Sequence, residues 1–217
     1  MNITHHLDPA TIVAYASGTL SEALAVVAAS HIAWCPVCRH AAREAEMIGG
    51  EMFMGLEPAE VTGNCRSATL GLIGRATLHR FPKPPAARGE VPTPLARLMG
   101  GKSVAELPWK TRAPGVAMID LPVVRHDRGK LVLMRIAPGR ALPEHGHGGE
   151  ELTLILAGSY TDRFGRFATG DVADLDEDAE HKPVVDDSGP CTCLVATEAP
   201  TRFRSISARI LQPLIGI

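Results

Sequence analysis

The sequence lacks a long apolar run and an excess of charge of one sign, and we expect no secretory leader. No apolar stretch approaches the roughly 20 residues that a membrane-spanning helix requires. The first residues, MNITHH, do not combine a basic segment with an apolar core, as a signal peptide does. The 22 basic and 24 acidic residues give a net charge of −2, so we expect no bulk attraction to nucleic acid or to a membrane surface.

Cysteine is scarce, and its number is odd. Five cysteines cannot all pair within one chain, which disfavours a disulfide framework. Cys35 and Cys38 form a C-x2-C pair close behind His31. This pattern fits reduced thiols and a bound metal, and we therefore expect a cytoplasmic protein.

A second group of metal-binding residue types lies between Gly139 and Gly158, which read G-x5-H-G-H-x3-E-x6-G. In an extended segment alternate side chains share a face, so His145 and His147 point the same way. Glu151 follows at the start of the apolar run LTLIL. Imidazoles and a carboxylate suit a divalent ion such as Zn, Fe, Ni or Mn. The spacing resembles the first motif of the cupin superfamily.

The composition divides the chain into two unlike halves, and we predict an α + β protein of two domains. Residues 1–80 read as a small helical bundle, 81–94 as an extended proline-rich linker, and 95–217 as a β-barrel of the jelly-roll type. Helices are predicted from Asp8-Pro9, after 19–21, after the C-x2-C turn as far as Gly49-Gly50, and over 68–78. Strands are predicted over 130–137, 151–157, 159–163 and 192–197.

The helical half carries the sequence His31-x3-Cys35-x2-Cys38, which brings three metal-binding side chains together. His31 and Cys35 lie one helical turn apart, and Cys38 returns from the turn after Pro36. Tetrahedral zinc requires a fourth ligand, for which His5 and His6 are the nearest upstream candidates. The alternative is a helix-end pair of small buried residues or a redox pair. Four protein ligands leave no open position, so we expect a structural zinc site.

This arrangement resembles the zinc-binding anti-sigma domain, and its fusion to a cupin resembles the ChrR family of anti-sigma factors. Residues 14–23 (AYASGTLSEA), the HGHGGEELT segment and the tail 209–213 (RILQP) carry the resemblance. It implies that the helical domain binds an extracytoplasmic-function (group IV) sigma factor. It also implies that the cupin domain senses singlet oxygen or organic peroxide and that this stimulus releases the sigma factor. It favours His6 as the fourth zinc ligand.

The resemblance assigns His181 as the fourth cupin ligand, beside His145, His147 and Glu151. The Pro-x-Gly that usually precedes this histidine in cupins is absent here, and His126 is the other histidine of this half outside the first motif. The acidic residues around 174–180 are expected to form a solvated hairpin. The ion is expected to be Zn or another divalent transition metal.

The C-terminal half also contains two cysteines close together in sequence. Cys191 and Cys193 share one face of a predicted strand, either as possible redox sensors near the metal or as small buried residues. We expect a regulatory protein rather than an enzyme. The alternative is a metal-dependent cupin dioxygenase with a helical appendage. Direct DNA binding is disfavoured, because acidic residues outnumber the arginines of the helical half.

Overall fold

A computed structural model describes residues 2–75, 90–123 and 129–203. Within these ranges, helices precede a set of short strands. The helices are α1 (Pro9–Ser17), α2 (Glu22–Trp34), α3 (Pro36–Met54), α4 (Cys65–Arg75) and α5 (Thr93–Leu98), followed by a 3-10 turn, Val104–Glu106. The strands are β1 (Lys110–Ala113), β2 (Val116–Asp120), β3 (Lys130–Ile136), β4 (His145–Gly146), β5 (Glu151–Ala157), β6 (Ser159–Asp162), β7 (Gly165–Ala168), β8 (Val172–Leu175), β9 (Glu180–His181), β10 (Val184–Val185), β11 (Cys191–Thr197) and β12 (Arg202–Phe203).

The first two helices begin where the sequence predicts, and α1 ends just before the predicted break. The Asp8 carboxylate accepts a hydrogen bond from the Ala10 amide at 2.8 Å and caps α1, whose first residue is Pro9. Gly18 ends α1 with a φ of 71°, which a residue with a Cβ adopts only at a cost. In α2 the predicted apolar stripe is confirmed, since Leu24, Val27, Ala28 and His31 are buried.

Helix α3 is longer than predicted. It does not end at Gly49-Gly50 but continues to Met54. A glycine inside a helix costs about 1 kcal/mol relative to alanine, and the good helix formers on both sides outweigh that cost. Helix α4 ends at Arg75 within the described residues, and positions 76–78 of the prediction lie outside them.

The strands form a barrel-like sandwich, which confirms the predicted fold class. One antiparallel sheet has the order β1-β2-β3-β11-β5-β8, and two three-stranded sheets have the orders β10-β6-β7 and β12-β4-β9. The four predicted strands correspond to β3, β5, β6 and β11. A buried cluster that includes Met134, Ile155, Tyr160, Phe167 and Val195 fills the space between the sheets.

The helical half packs directly on the outer face of the large sheet. Helix α2 lies against β5 and β11, and one buried cluster contains residues of both halves. Helix α5 also packs on α2, with Leu95 fully buried. The C-terminal end of the predicted linker, 81–94, is therefore not an extended spacer, because Val91 is buried and α5 starts at Thr93. Residues 81–89 lie outside the described part of the chain, and the division at 80 stays a prediction.

Among the described residues, no single helix is long and apolar enough to cross a bilayer. Helices α1 and α2 meet the length and composition criteria only when taken together, and they are bent by 111° at their junction.

Candidate metal centres

The first cluster joins the N-terminal segment to the turn between α2 and α3. His31 lies in the last turn of α2, Cys35 is the cap residue between the helices, and Cys38 lies in the first turn of α3. His6, in the extended segment before α1, brings its ring against both thiols. The four ligand atoms lie within 4.8 Å of one another, and the three residues of the helices are buried.

The separations between these atoms fit a tetrahedral zinc ion. Zn–S bonds of about 2.3 Å and Zn–N bonds of about 2.0 Å place neighbouring S and N atoms about 3.6 Å apart. Nε2 of His31 lies 3.3 Å from Sγ of Cys38. Nδ1 of His6 lies 3.3 Å from Sγ of Cys35 and 3.8 Å from Sγ of Cys38. The donor set can therefore hold zinc with little rearrangement.

Burial controls the protonation of this cluster. It lowers the pKa of His31 to about 4, so the imidazole is neutral at pH 7 and can donate a lone pair. Burial, reinforced by the nearby Cys35, raises the pKa of Cys38 to about 11. A metal that binds here must displace thiol protons, which couples metal affinity to pH.

The structure brings His6 into the cluster and leaves His5 outside it. The His5 ring packs against Phe167 with a centroid distance of 4.1 Å and a tilt of 33°, and its Nδ1 lies 3.5 Å from the Asp171 carboxylate. The sequence left a choice between the two histidines. Alternation along an extended segment decides it, because neighbouring side chains point to opposite sides.

The second cluster lies inside the barrel, where β4, β5 and β9 meet. His145 of β4 pairs in register with His181 of β9, and Glu151 is the first residue of β5. His147 follows β4 and is only 2% exposed. The ligand atoms of these four residues lie within 4.8 Å of one another, and all four side chains are buried. The sequence-predicted set is therefore brought together in full.

Hydrogen bonds around the cluster orient its imidazoles. Nδ1 of His145 donates to the Pro143 carbonyl at 2.8 Å, and Nδ1 of His181 donates to the Asp162 carboxylate at 2.8 Å. Both Nε2 atoms are then left as acceptors, and they face each other at 3.0 Å. Two opposed lone pairs at this distance repel, so either a shared proton or a metal bound at Nε2 must lie between them, and the surrounding donor set fits a metal.

Sequence reasoning missed these outer contacts. The Asp162 side chain is fully buried, yet it stands in an ordinary strand-end segment, SYTD, with no motif to mark it. The Thr153 hydroxyl donates to Glu151 at 3.2 Å. Burial would raise the pKa of Glu151, but the nearby imidazoles of His147, His145 and His181 outweigh it and lower the pKa. Glu151 is therefore available as an anionic ligand.

A cavity of ≈ 80 Å³ opens beside this cluster. Its wall is mainly apolar and includes Val132, Met134, Ile136, Leu142, Tyr160 and Cys193, with His145, Glu151 and His181 at one side. The Tyr160 hydroxyl is buried and has no hydrogen-bond partner among the described residues. The arrangement can admit a small apolar molecule next to a bound metal.

Both C-terminal thiols face the barrel interior. Cys191 and Cys193 are buried in the cluster between the sheets, and Cys193 lines the cavity. A hydrogen bond with Cys191 and burial raise the pKa of Cys193 well above its usual range. A protonated thiol is a poor nucleophile, so Cys193 is not activated for direct attack on an oxidant.

The acidic segment from Asp174, within β8, to Glu180 is only partly the solvated hairpin that the sequence predicts. Asp176, Glu177 and Asp178 are exposed, as expected. Asp174 is half-buried and accepts a hydrogen bond from the Asp8 amide at 2.9 Å. It therefore holds the start of α1 against the barrel. His126 lies outside the described residues.

Comparisons with known proteins agree along the whole chain. The family model of the ChrR Cupin-like domain matches residues 101–200. The anti-sigma-E factor ChrR of Cereibacter sphaeroides is 36% identical over 220 residues, which cover 100% of both chains. The crystal structure of Rhodobacter sphaeroides SigE in complex with the anti-sigma ChrR contains a chain that is 34% identical, with a TM-score of 0.77 over 90% of this chain and 99% of that one. Sequence, fold and paired donor clusters lead to one conclusion: the chain belongs to the ChrR family of anti-sigma factors.

Proposed function

We propose that this protein is an anti-sigma factor that binds an extracytoplasmic-function sigma factor through its helical half and releases it on oxidative stimulus. The full-length similarity to an anti-sigma factor, and to a chain crystallised with its sigma factor, supports the assignment. The protein acts in the cytoplasm, where sigma factors meet core RNA polymerase.

The observation that carries this proposal is an uncovered apolar surface on α3 and α4, which we call the α3–α4 surface. Its members are exposed although they are large and apolar: Met47, Ile48, Met52, Phe53 and Met54 of α3, and Leu70, Leu72 and Ile73 of α4. Met52, Phe53 and Met54 are 71%, 73% and 79% exposed. A concentration of exposed apolar side chains on two successive helices is typical of a protein interaction site.

Helix α4 strengthens the argument for a partner. None of its 11 described residues is buried. An isolated helix shorter than about 12–15 residues is marginal in water, so packing must supply its stability. A bound sigma factor would cover α4 and the exposed end of α3 together.

The two metal clusters then take different roles. The Cys2His2 cluster ties the N-terminal segment to the α2–α3 turn, and its donor set suits structural zinc. The cupin cluster of three imidazoles and one carboxylate suits Zn or another divalent transition metal, and it borders the cavity. We assign sensing to the cupin metal rather than to Cys193 alone, because that thiol stays protonated.

Binding to a sigma factor tests the proposal most simply. An extracytoplasmic-function sigma factor of the same genome is titrated into the metal-loaded protein by calorimetry. Phe53→Ser combined with Ile73→Ser should weaken binding by at least about tenfold, since buried aromatic and aliphatic anchors carry most interface energy. Phe164→Ser is the matched control, because Phe164 is 42% exposed on the barrel. Equal losses in both variants would count against the α3–α4 surface.

The cavity beside the cupin metal also favours a second candidate, a cupin dioxygenase. That function requires redox-active iron and turnover of a small substrate. Metal analysis of the purified protein, followed by oxygen-consumption assays with diketone, flavonol and thiol substrates, separates the two functions. We expect no turnover. Steady oxygen consumption that is lost in Glu151→Gln would support the enzyme.

A further inference from the structure

The turn between β7 and β8 belongs to the barrel, yet it lies directly against the helical metal cluster. Gly170 and Asp171 form this turn, and Asp171 is only 1% exposed. The Val172 amide, just after the turn, approaches the His5 carbonyl at 3.4 Å. Gly170, Asp171 and Val172 of the barrel thus contact the helical half, next to its metal-binding residues His31 and His6.

Gly170 orients His31. Nδ1 of His31 lies 3.0 Å from the Gly170 carbonyl, and the contact is buried. A carbonyl oxygen can only accept, so Nδ1 carries the proton and Nε2 presents its lone pair toward Cys38. Gly170 adopts a φ of 98°, which residues with a Cβ rarely adopt, so the backbone here depends on glycine.

Asp171 positions the segment that carries His6. Its Oδ1 accepts from the Thr4 amide at 2.6 Å and from the His5 amide at 3.0 Å, while Oδ2 accepts from the Ala168 amide at 2.9 Å. Hydrogen bonds to a buried carboxylate are about twice as strong as neutral ones. The carboxylate therefore fixes the backbone immediately before His6. Its bond to the Ala168 amide also holds the backbone of the turn that contains Asp171.

The same turn is bonded to the strand that carries a cupin ligand. The Gly170 amide donates to the Ile155 carbonyl at 2.8 Å, and the Ile155 amide donates to the Asp171 carbonyl at 3.0 Å. Ile155 lies on β5, four residues after Glu151, which is about 13 Å along a strand. Gly170 therefore bonds β5 through its amide and His31 through its carbonyl.

We propose that Gly170 and Asp171 are positioning residues of the helical metal site, so that the barrel supplies the outer contacts of a site whose ligands all come from the helical half. The inference rests on the metal site proposed above. It makes the metal affinity of the helical half depend on the barrel. A displacement of β5 would also move the Gly170 carbonyl that is hydrogen-bonded to His31.

Cobalt binding tests the inference on the full-length protein. Thiolate-to-cobalt charge-transfer absorption reports the helical site, because Cys35 and Cys38 are the thiols of that cluster and the cupin cluster has none. Asp171→Asn replaces one of the two accepting oxygens by a donating NH2 group, so the side chain can keep only the hydrogen bonds made by the other oxygen. We expect it to raise the apparent cobalt dissociation constant by about 10–100-fold, the usual effect of losing an outer contact.

Two further variants keep the test decisive. Asp186→Asn is the matched control, since Asp186 holds another barrel turn through Ser159 and Arg166 and should change the cobalt affinity less than about twofold. Thr4→Pro removes the Thr4 amide from the helical side and leaves the barrel residues intact, so it should also weaken cobalt binding. Wild-type affinity in both Asp171→Asn and Thr4→Pro would overturn the inference. If the wild-type protein shows no thiolate–cobalt band, the metal site itself is wrong.

Discussion

Replacing Leu24 by alanine should destabilise the barrel as much as the helices. Leu24 lies in α2, is fully buried, and belongs to the cluster that α2 shares with the large sheet. Leu→Ala changes at such sites cost about 2.7–5.0 kcal/mol, because apolar contacts are lost and a cavity remains. With a urea dependence of about 2.5 kcal/mol per M, the unfolding midpoint should fall by about 1–2 M.

The chain offers a reporter for the barrel half. Trp34 lies at the end of α2, whereas Trp109 precedes β1 and donates to the Val104 carbonyl at 2.8 Å. In a Trp34→Phe background, Trp109 fluorescence follows the barrel, and far-ultraviolet circular dichroism follows the helices. Urea titrations of the metal-loaded, reduced protein should show both signals shifting together in Leu24→Ala.

The control is a substitution at an exposed position of α1. Val13→Ala removes an apolar side chain of α1 that is 58% exposed, and it should change the free energy of unfolding by less than about 0.5 kcal/mol. If Leu24→Ala shifts the helical signal alone and leaves the Trp109 transition in place, the two halves are independent domains and the shared core does not couple them.

Four other substitutions probe the two sites and the fold. Cys35→Ser should remove one of two metal equivalents and weaken sigma-factor binding, as measured by elemental analysis and calorimetry; full retention of both would refute a zinc-organised surface. His147→Ala should keep sigma-factor binding but blunt release by an organic hydroperoxide, and constitutive release would contradict this. Asp162→Asn should weaken metal binding at the cupin site by about 10–100-fold in a chelator competition, because it removes the carboxylate that orients a ligand imidazole. Gly158→Ala should cost at least about 2 kcal/mol in thermal unfolding, since Gly158 has a φ of 78° and a Cβ would overlap the Pro190 carbonyl; an unchanged melting temperature would show that the turn relaxes.

Local patterns predict the first four helices, the strands β3, β5, β6 and β11, and the residues of both donor clusters. The Asp8-Pro9 start of α1 depends on side-chain capping within a few residues, which the sequence contains in full. His31 and Cys35 are one helical turn apart, and His145 and His147 are two residues apart on extended backbone, so spacing alone places each pair on one face.

Contacts distant in sequence could not be predicted in this way. The hydrogen bonds from Asp162 to His181 and from His31 to Gly170 depend on how the sheets and helices pack. The composition predicts two unlike halves, but it does not show that α2 packs on the barrel strands β5 and β11 as well as on α1 and α3 of its own half. An apolar stripe on a helix predicts that the helix packs on another element of the fold, but it does not identify that element.

Run-off transcription tests the central claim most directly. Core RNA polymerase and the extracytoplasmic-function sigma factor are assayed on its promoter with the metal-loaded protein, before and after addition of an organic hydroperoxide. The account predicts that the wild-type protein represses transcription and that hydroperoxide restores it, whereas His147→Ala represses and stays repressed. Absence of repression, or equal release from both proteins, would contradict the account.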